Sequence, residues 1–255
     1  MGRFFCFLTL VLWLPLIAQS QNVDVKLVVA VDASGSVDPT ELRLQIDGIA
    51  AALRHRAVQN TVRNGLYGRV AVAMLVWSDA AYPKYPTKWH ILDSPETFEV
   101  FALEVETYNI SAPGVPAIGG GGTNIGDALV YAISMLEENP ARAPRWVVDI
   151  SGDGPESKPW QKGAIELPEA RIIAQQRAIT VNGLAIETDI ADLNEYYRSN
   201  VITGPGSFVI RARDFQDFQR AIIDKLLREL MPVAVSDKIT PPVRLAQLSQ
   251  CLMPC

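Results

Sequence analysis

The chain has 255 residues, 49% of them hydrophobic and 20% charged, which is enough apolar material for one substantial core. Its formal charge of -5 excludes bulk nucleic-acid binding, because phosphate recognition needs concentrated Lys and Arg. There is no block of like charges that would mark a solvating tail.

Residues 1–20 read as an export signal. Arg3 supplies the positive end, residues 4–17 are nearly all apolar, and Ala18-Gln19-Ser20 offers small residues for cleavage. A retained N-terminal anchor is the alternative; no later segment is apolar and long enough to cross a bilayer. The expected organisation is a signal peptide (1–20), one folded domain (21–231) and a polar, Pro-containing tail (232–255). That places the mature protein in the periplasm or outside the cell. Cys251 and Cys255 could then pair with each other or with another chain, or serve no structural duty.

From residue 23 onward, apolar runs alternate with helical periodicity. Strands are predicted at 25–31, 70–77, 89–92, 145–150, 179–186 and 207–210. Helices are predicted at 40–55, 96–107, 124–138, 167–177, 190–198 and 215–230, with a Pro- and Gly-rich loop over 111–122. This alternation predicts an α/β fold: a doubly wound, mostly parallel six-stranded sheet with helices on both faces.

The chemistry concentrates in Asp32-Ala33-Ser34-Gly35-Ser36, where the first strand ends. Doubly wound sheets bind ligands at the carboxyl ends of their strands. One carboxylate and two hydroxyls at alternate positions can turn toward one point there, because the small residues between them let the loop curl. Two more segments offer oxygens at equivalent places. Thr123 follows the run Gly119-Gly120-Gly121-Gly122 at the start of a helix, and Asp153 lies just beyond the next strand in Ser151-Gly152-Asp153-Gly154. Asp32, Ser34, Ser36, Thr123 and Asp153 therefore form the candidate metal set, two carboxylates and three hydroxyls. Such hard oxygen donors suit Mg2+, with Mn2+ or Ca2+ as alternatives, and do not suit zinc or copper. Each segment alone has a plain reading as a helix cap, a flexible loop or a turn. Their order, each at a strand end, selects the metal reading.

These three segments resemble the metal-ion-dependent adhesion site of von Willebrand factor A domains, over residues 23 to about 231. The resemblance implies that Asp32, Ser34, Ser36, Thr123 and Asp153 hold the ion, some of them through water, and that an acidic residue of a protein partner completes its coordination. The stretches 148–155 and 179–186, with Tyr196-Tyr197 and Gly204-Pro205-Gly206-Ser207-Phe208, are similar to an exported bacterial family of stand-alone A domains of unassigned function. Where such relatives often continue Gly-Pro-Asn-Asn, this chain has Gly154-Pro155-Glu156-Ser157, so Glu156 is expected to place a negative charge close to the metal and alter partner binding.

Other candidates are weaker. His55 and His90 have no metal-ligand spacing and read as structural. Asp79 reads as a solvated loop residue, with a rim contact as the alternative. Tyr82, Tyr85 and Trp89 read as packing at a sheet edge rather than a recognition patch. The expected function is a metal-dependent binding and adhesion module, not an enzyme. Two rivals stand beside it: a structural domain stiffened by its metal, and a Mg2+-dependent phosphotransferase. The last lacks a second acid at Ser34 and any nucleotide-binding loop.

Overall fold

The computed structural model describes residues 21–81, 84–108, 121–157 and 163–232. The proposed signal peptide, Tyr82, Gly119, Gly120 and the C-terminal cysteines lie outside them. Among the described residues, no helix is long and apolar enough to cross a membrane.

Seven strands form one sheet: β1 (Lys26–Asp32), β2 (Val70–Trp77), β3 (Tyr85–Pro86), β4 (His90–Leu92), β5 (Trp146–Gly152), β6 (Thr180–Ile186) and β7 (Val209–Ala212). Their order is β3-β2-β1-β5-β6-β7, with β4 also on β2. The five longer strands run parallel, and β3 and β4 pair antiparallel with β2. The six expected strands are present. The seventh, β3, is a two-residue pairing ending in Pro86, too short to leave a pattern in the sequence.

The helices are α1 (Pro39–Arg54), α2 (Arg56–Arg63), α3 (Pro95–Glu106), α4 (Ile125–Glu138), α5 (Leu167–Gln176), α6 (Leu193–Tyr196) and α7 (Phe218–Leu230). Alternate residues of a strand face opposite sides of its sheet. Leu27, Val29 and Val31 accordingly join a core with α1, α2, α3 and α7, whereas Val28 and Ala30 join one with α4, α5 and α6. Both faces are covered, so every residue of β1 and β2 is buried. α2 was not expected. His55 takes an extended conformation that ends α1 where the predicted helix ends, and only Val58 and Val62 anchor the short helix that follows. The predicted helix over 190–198 is instead α6 followed by a π-helical turn, Tyr197–Val201.

α1 begins immediately after the loop that leaves β1. Asp38 accepts from the Glu41 amide (2.8 Å), the Glu41 carboxylate accepts from the Asp38 amide (2.9 Å), and Pro39 occupies the first turn. This capping box fixes where the loop must end.

α7 carries a fully buried charged cluster into the sheet. Lys225 Nζ lies 2.8 Å from Asp149 Oδ1 on β5 and 2.6 Å from Glu229 Oε1. Asn182 on β6 donates to the same Glu229 oxygen (2.8 Å) and accepts from the Phe208 amide (3.0 Å). Two carboxylates share one ammonium, so one of them carries a poorly compensated charge. Burial, then the Glu229 charge, push the Asp149 carboxyl up to about 7, while Lys225 pulls it down. Unfolding returns Asp149 to its ordinary value of 3.8. Its contribution is therefore fully present below pH 3.8 and is lost as pH rises to about 7. Asp149→Asn leaves Lys225 paired one-to-one with Glu229. Denaturant midpoints measured across this range should fall less steeply for Asp149→Asn than for the parent chain; parallel slopes would refute the assignment.

Candidate metal centre

The site lies at the carboxyl ends of β1 and β5, where the first and third loops meet. Asp32, the last residue of β1, is fully buried. Its Oδ1 accepts from the Ser34 amide (2.7 Å), so the loop turns back over the carboxylate. The Ser34 hydroxyl stands 3.4 Å from that of Ser36, and Ser36 Oγ donates to Asp153 Oδ1 (2.7 Å). Thr123 stands against the same loop, since a Cβ on Gly154 would lie 3.8 Å from its Oγ1. Asp32 and Ser34 are buried, Thr123 is half-buried and Ser36 is exposed, so the oxygens run from the sheet outward to solvent.

Hydrogen bonds hold the three loops at these positions. The buried Gln45 of α1 donates to the Asp32 carbonyl (3.0 Å), and the Ala33 amide donates to the Trp77 carbonyl at the end of β2 (2.8 Å). Ser157 ties the third loop to the second: its hydroxyl accepts from the Thr123 amide (2.8 Å) and donates to the Thr123 carbonyl (3.1 Å), and its amide donates to that carbonyl too (2.8 Å). Neither Gln45 nor Ser157 was singled out in the sequence. Both act across long separations that periodicity does not reveal.

Several other expectations can be placed. Glu156 is bonded to a helix N-terminus. Its carboxylate accepts from the Ile125 and Gly126 amides at the N-terminus of α4, where the helix dipole favours an anion. Burial pushes its carboxyl up to about 7, with the amides opposing. Asp79 abuts the second loop, because a Cβ on Gly121 would come within 2.1 Å of its Oδ2; Gly121 also has a φ of +102°, so glycine is needed there twice over. His90 stacks on Phe101 (ring centroids 4.8 Å apart) and lies 2.6 Å from Glu104, a structural role as expected. Trp89 packs against the core, while Tyr85 is exposed on β3.

The electrostatics call for a cation. Among the described residues, neither Asp32 nor Asp153 forms an ion pair with a basic side chain, and the buried Asp32 Oδ2 has no hydrogen-bond partner. Burial first, then the Asp153 charge, push the Asp32 carboxyl up to about 7; the Ser34 and Asp153 amides oppose this. Burial also raises Asp153. Two carboxylates, an orphaned oxygen and neutral hydroxyls fit a hard divalent ion. Among the described residues there is no cluster of three His, Cys, Asp or Glu side chains, so any ion here would rest on two carboxylates and hydroxyls. A cavity of about 260 Å³ lined by Arg145, Asn182, Phe208, Arg228 and Glu229 lies at the opposite rim of the sheet, away from these oxygens.

If Glu156 serves α4 rather than the metal field, its two roles separate by variant. Glu156→Ala should lose about 1 kcal/mol of stability in chelator, typical of a lost helix cap, by denaturant unfolding. Glu156→Gln should change Mg2+ affinity by less than about threefold, a few tenths of a kcal/mol. A tenfold change in Glu156→Gln would return the carboxylate to the metal's surroundings.

Two solved structures share the fold. The pilus adhesin SpaC from Lactobacillus rhamnosus GG aligns with a TM-score of 0.52 and 15% identity, covering 83% of this chain and 31% of that one. Proximal thread matrix protein 1 from the mussel byssus, with a zinc-occupied MIDAS motif (the metal-ion-dependent adhesion site), aligns at 0.50 and 14%, covering 82% and 48%. This chain thus spans less than half the length of either. No curated protein matches the sequence. A family model described as "Protein of unknown function (DUF1194)" matches residues 22–234. The chain accordingly belongs to that family, and its fold is of the von Willebrand factor A type.

Proposed function

We propose that the chain is an exported, metal-dependent protein-binding module, in which Asp32, Ser34, Ser36, Thr123 and Asp153 hold a divalent ion, Mg2+ in the first instance. The observation that carries this reading is the buried Asp32 Oδ2 without a partner, beside a second carboxylate and, among the described residues, without an ion-paired base. The bound ion would supply a Lewis-acidic centre that an acidic side chain of a protein partner can ligate. The surrounding hydroxyls are neutral and so leave the ion much of its positive charge. The chain's own residues set access: Ser36 is at the surface, while Asp32 anchors the site from within.

Gln45 and Ser157 favour binding over a purely structural metal, because they hold the loops without any ion. Likewise, among the described residues no basic side chain pairs with Asp32, which favours binding over phosphotransfer; Lys84, beyond the second strand, is paired with Asp127. The SpaC and mussel byssus relatives are an adhesin and a matrix protein, which agrees with a protein partner and an extracellular or periplasmic setting.

Calorimetric titration of Mg2+ and Mn2+ into chelator-stripped protein should give one saturable site, absent in Asp32→Ala. No binding at millimolar metal, or undiminished binding in Asp32→Ala, would sink the proposal. Ser36→Ala then separates the two roles of the metal: partner capture should fall at least tenfold, about 1.4 kcal/mol, with little change in melting. A large loss of stability instead would assign the ion a structural role.

A further inference from the structure

Two buried oxygens beside the site have no partner: Asp32 Oδ2 and Tyr197 Oη. They converge on one residue. A Cβ on Gly152, the last residue of β5, would lie 2.5 Å from Tyr197 Oη and 2.7 Å from Asp32 Oδ2. The Tyr197 ring reaches this place through a slot made by glycines on adjacent strands, since a Cβ on Gly183 of β6 would meet its Cδ1 at 2.8 Å. Any side chain at Gly152 would press between the two oxygens. Tyr197 itself opens the π-helical turn Tyr197–Val201, closed by the Ile202 amide donating to the Tyr197 carbonyl (3.0 Å). Such turns are rare and recur at functional sites. The neighbouring Tyr196 Oη accepts from the Glu156 amide (3.0 Å), so the pair grips the third loop while reaching beneath it toward Asp32.

A wholly buried phenol costs free energy when its hydroxyl is unpaired, and an apolar ring would fill the slot as well. We infer that Tyr197 is a positioning residue for the metal centre: its hydroxyl donates to Asp32 Oδ2 and orients that carboxylate when a divalent ion is held by the candidate set. A phenol keeps its proton at neutral pH, so the hydroxyl is available to donate. Outer groups of this kind fix the direction of a ligand, and their loss commonly weakens metal binding by 10–100-fold. The inference rests on the metal reading of Asp32 proposed above, which the same experiment tests separately.

The experiment is Mg2+ titration of the full chain, its Tyr197→Phe variant and its Asp32→Ala variant, followed by calorimetry and near-ultraviolet difference absorbance. Tyr197→Phe keeps the ring in its slot and removes an unpaired hydroxyl, so the metal-free melting temperature should be no lower than the parent's. Its Mg2+ affinity should fall about tenfold. In the parent, Mg2+ should perturb the tyrosine absorption band, and Tyr197→Phe should remove most of that change. Parent-like affinity in Tyr197→Phe overturns the inference and leaves the metal site standing. Should Tyr197→Phe fold poorly, the parent's spectrum decides: saturation with Mg2+ and no tyrosine perturbation overturns it equally. No Mg2+ binding by the parent chain overturns both readings together.

Discussion

Asp32 is the constraint on which the rest of this site depends. A carboxylate at the end of a fully buried central strand loses its hydration, and here a second carboxylate, Asp153, raises the cost further. Proteins meet such a cost with a base, a proton or a metal. Among the described residues the base is missing, and the surrounding groups are hydroxyls and amides that can orient a carboxylate but cannot neutralise it. The arrangement makes chemical sense with a hard cation in place.

The contrast with Asp149 is instructive. It is equally buried, three residues from the end of β5, and its charge is also pushed toward the neutral form. Yet Lys225 of α7 stands 2.8 Å away, and the cluster is closed off by Asn182 and Glu229 inside the core. One buried acid is matched internally and ties the last helix to the sheet. The other has no ion-paired base among the described residues and lies beneath a loop that ends at the exposed Ser36.

Much of the architecture was legible because parallel strands buried on both faces read as continuous apolar runs, as Val70–Trp77 does. The position of the Asp32 loop was legible too, because it directly follows the end of an apolar strand. What escaped was long-range or locally weak. α2 has only two buried positions, and β3 has two residues. Gln45, Ser157 and Tyr197 matter through partners distant in sequence. Glu156 is a similar case: its nearness in sequence to Asp153 was visible, but not that the start of α4 offers two amides that bind its carboxylate.

The most direct measurement is anomalous diffraction from crystals of the protein grown with Mn2+. The account predicts a single strong peak bounded by the Ser34, Ser36 and Thr123 hydroxyls and the Asp32 and Asp153 carboxylates, lost on exchange into chelator. A peak elsewhere, at the Asp79 rim or beside Glu229, or no peak at saturating Mn2+, would contradict it.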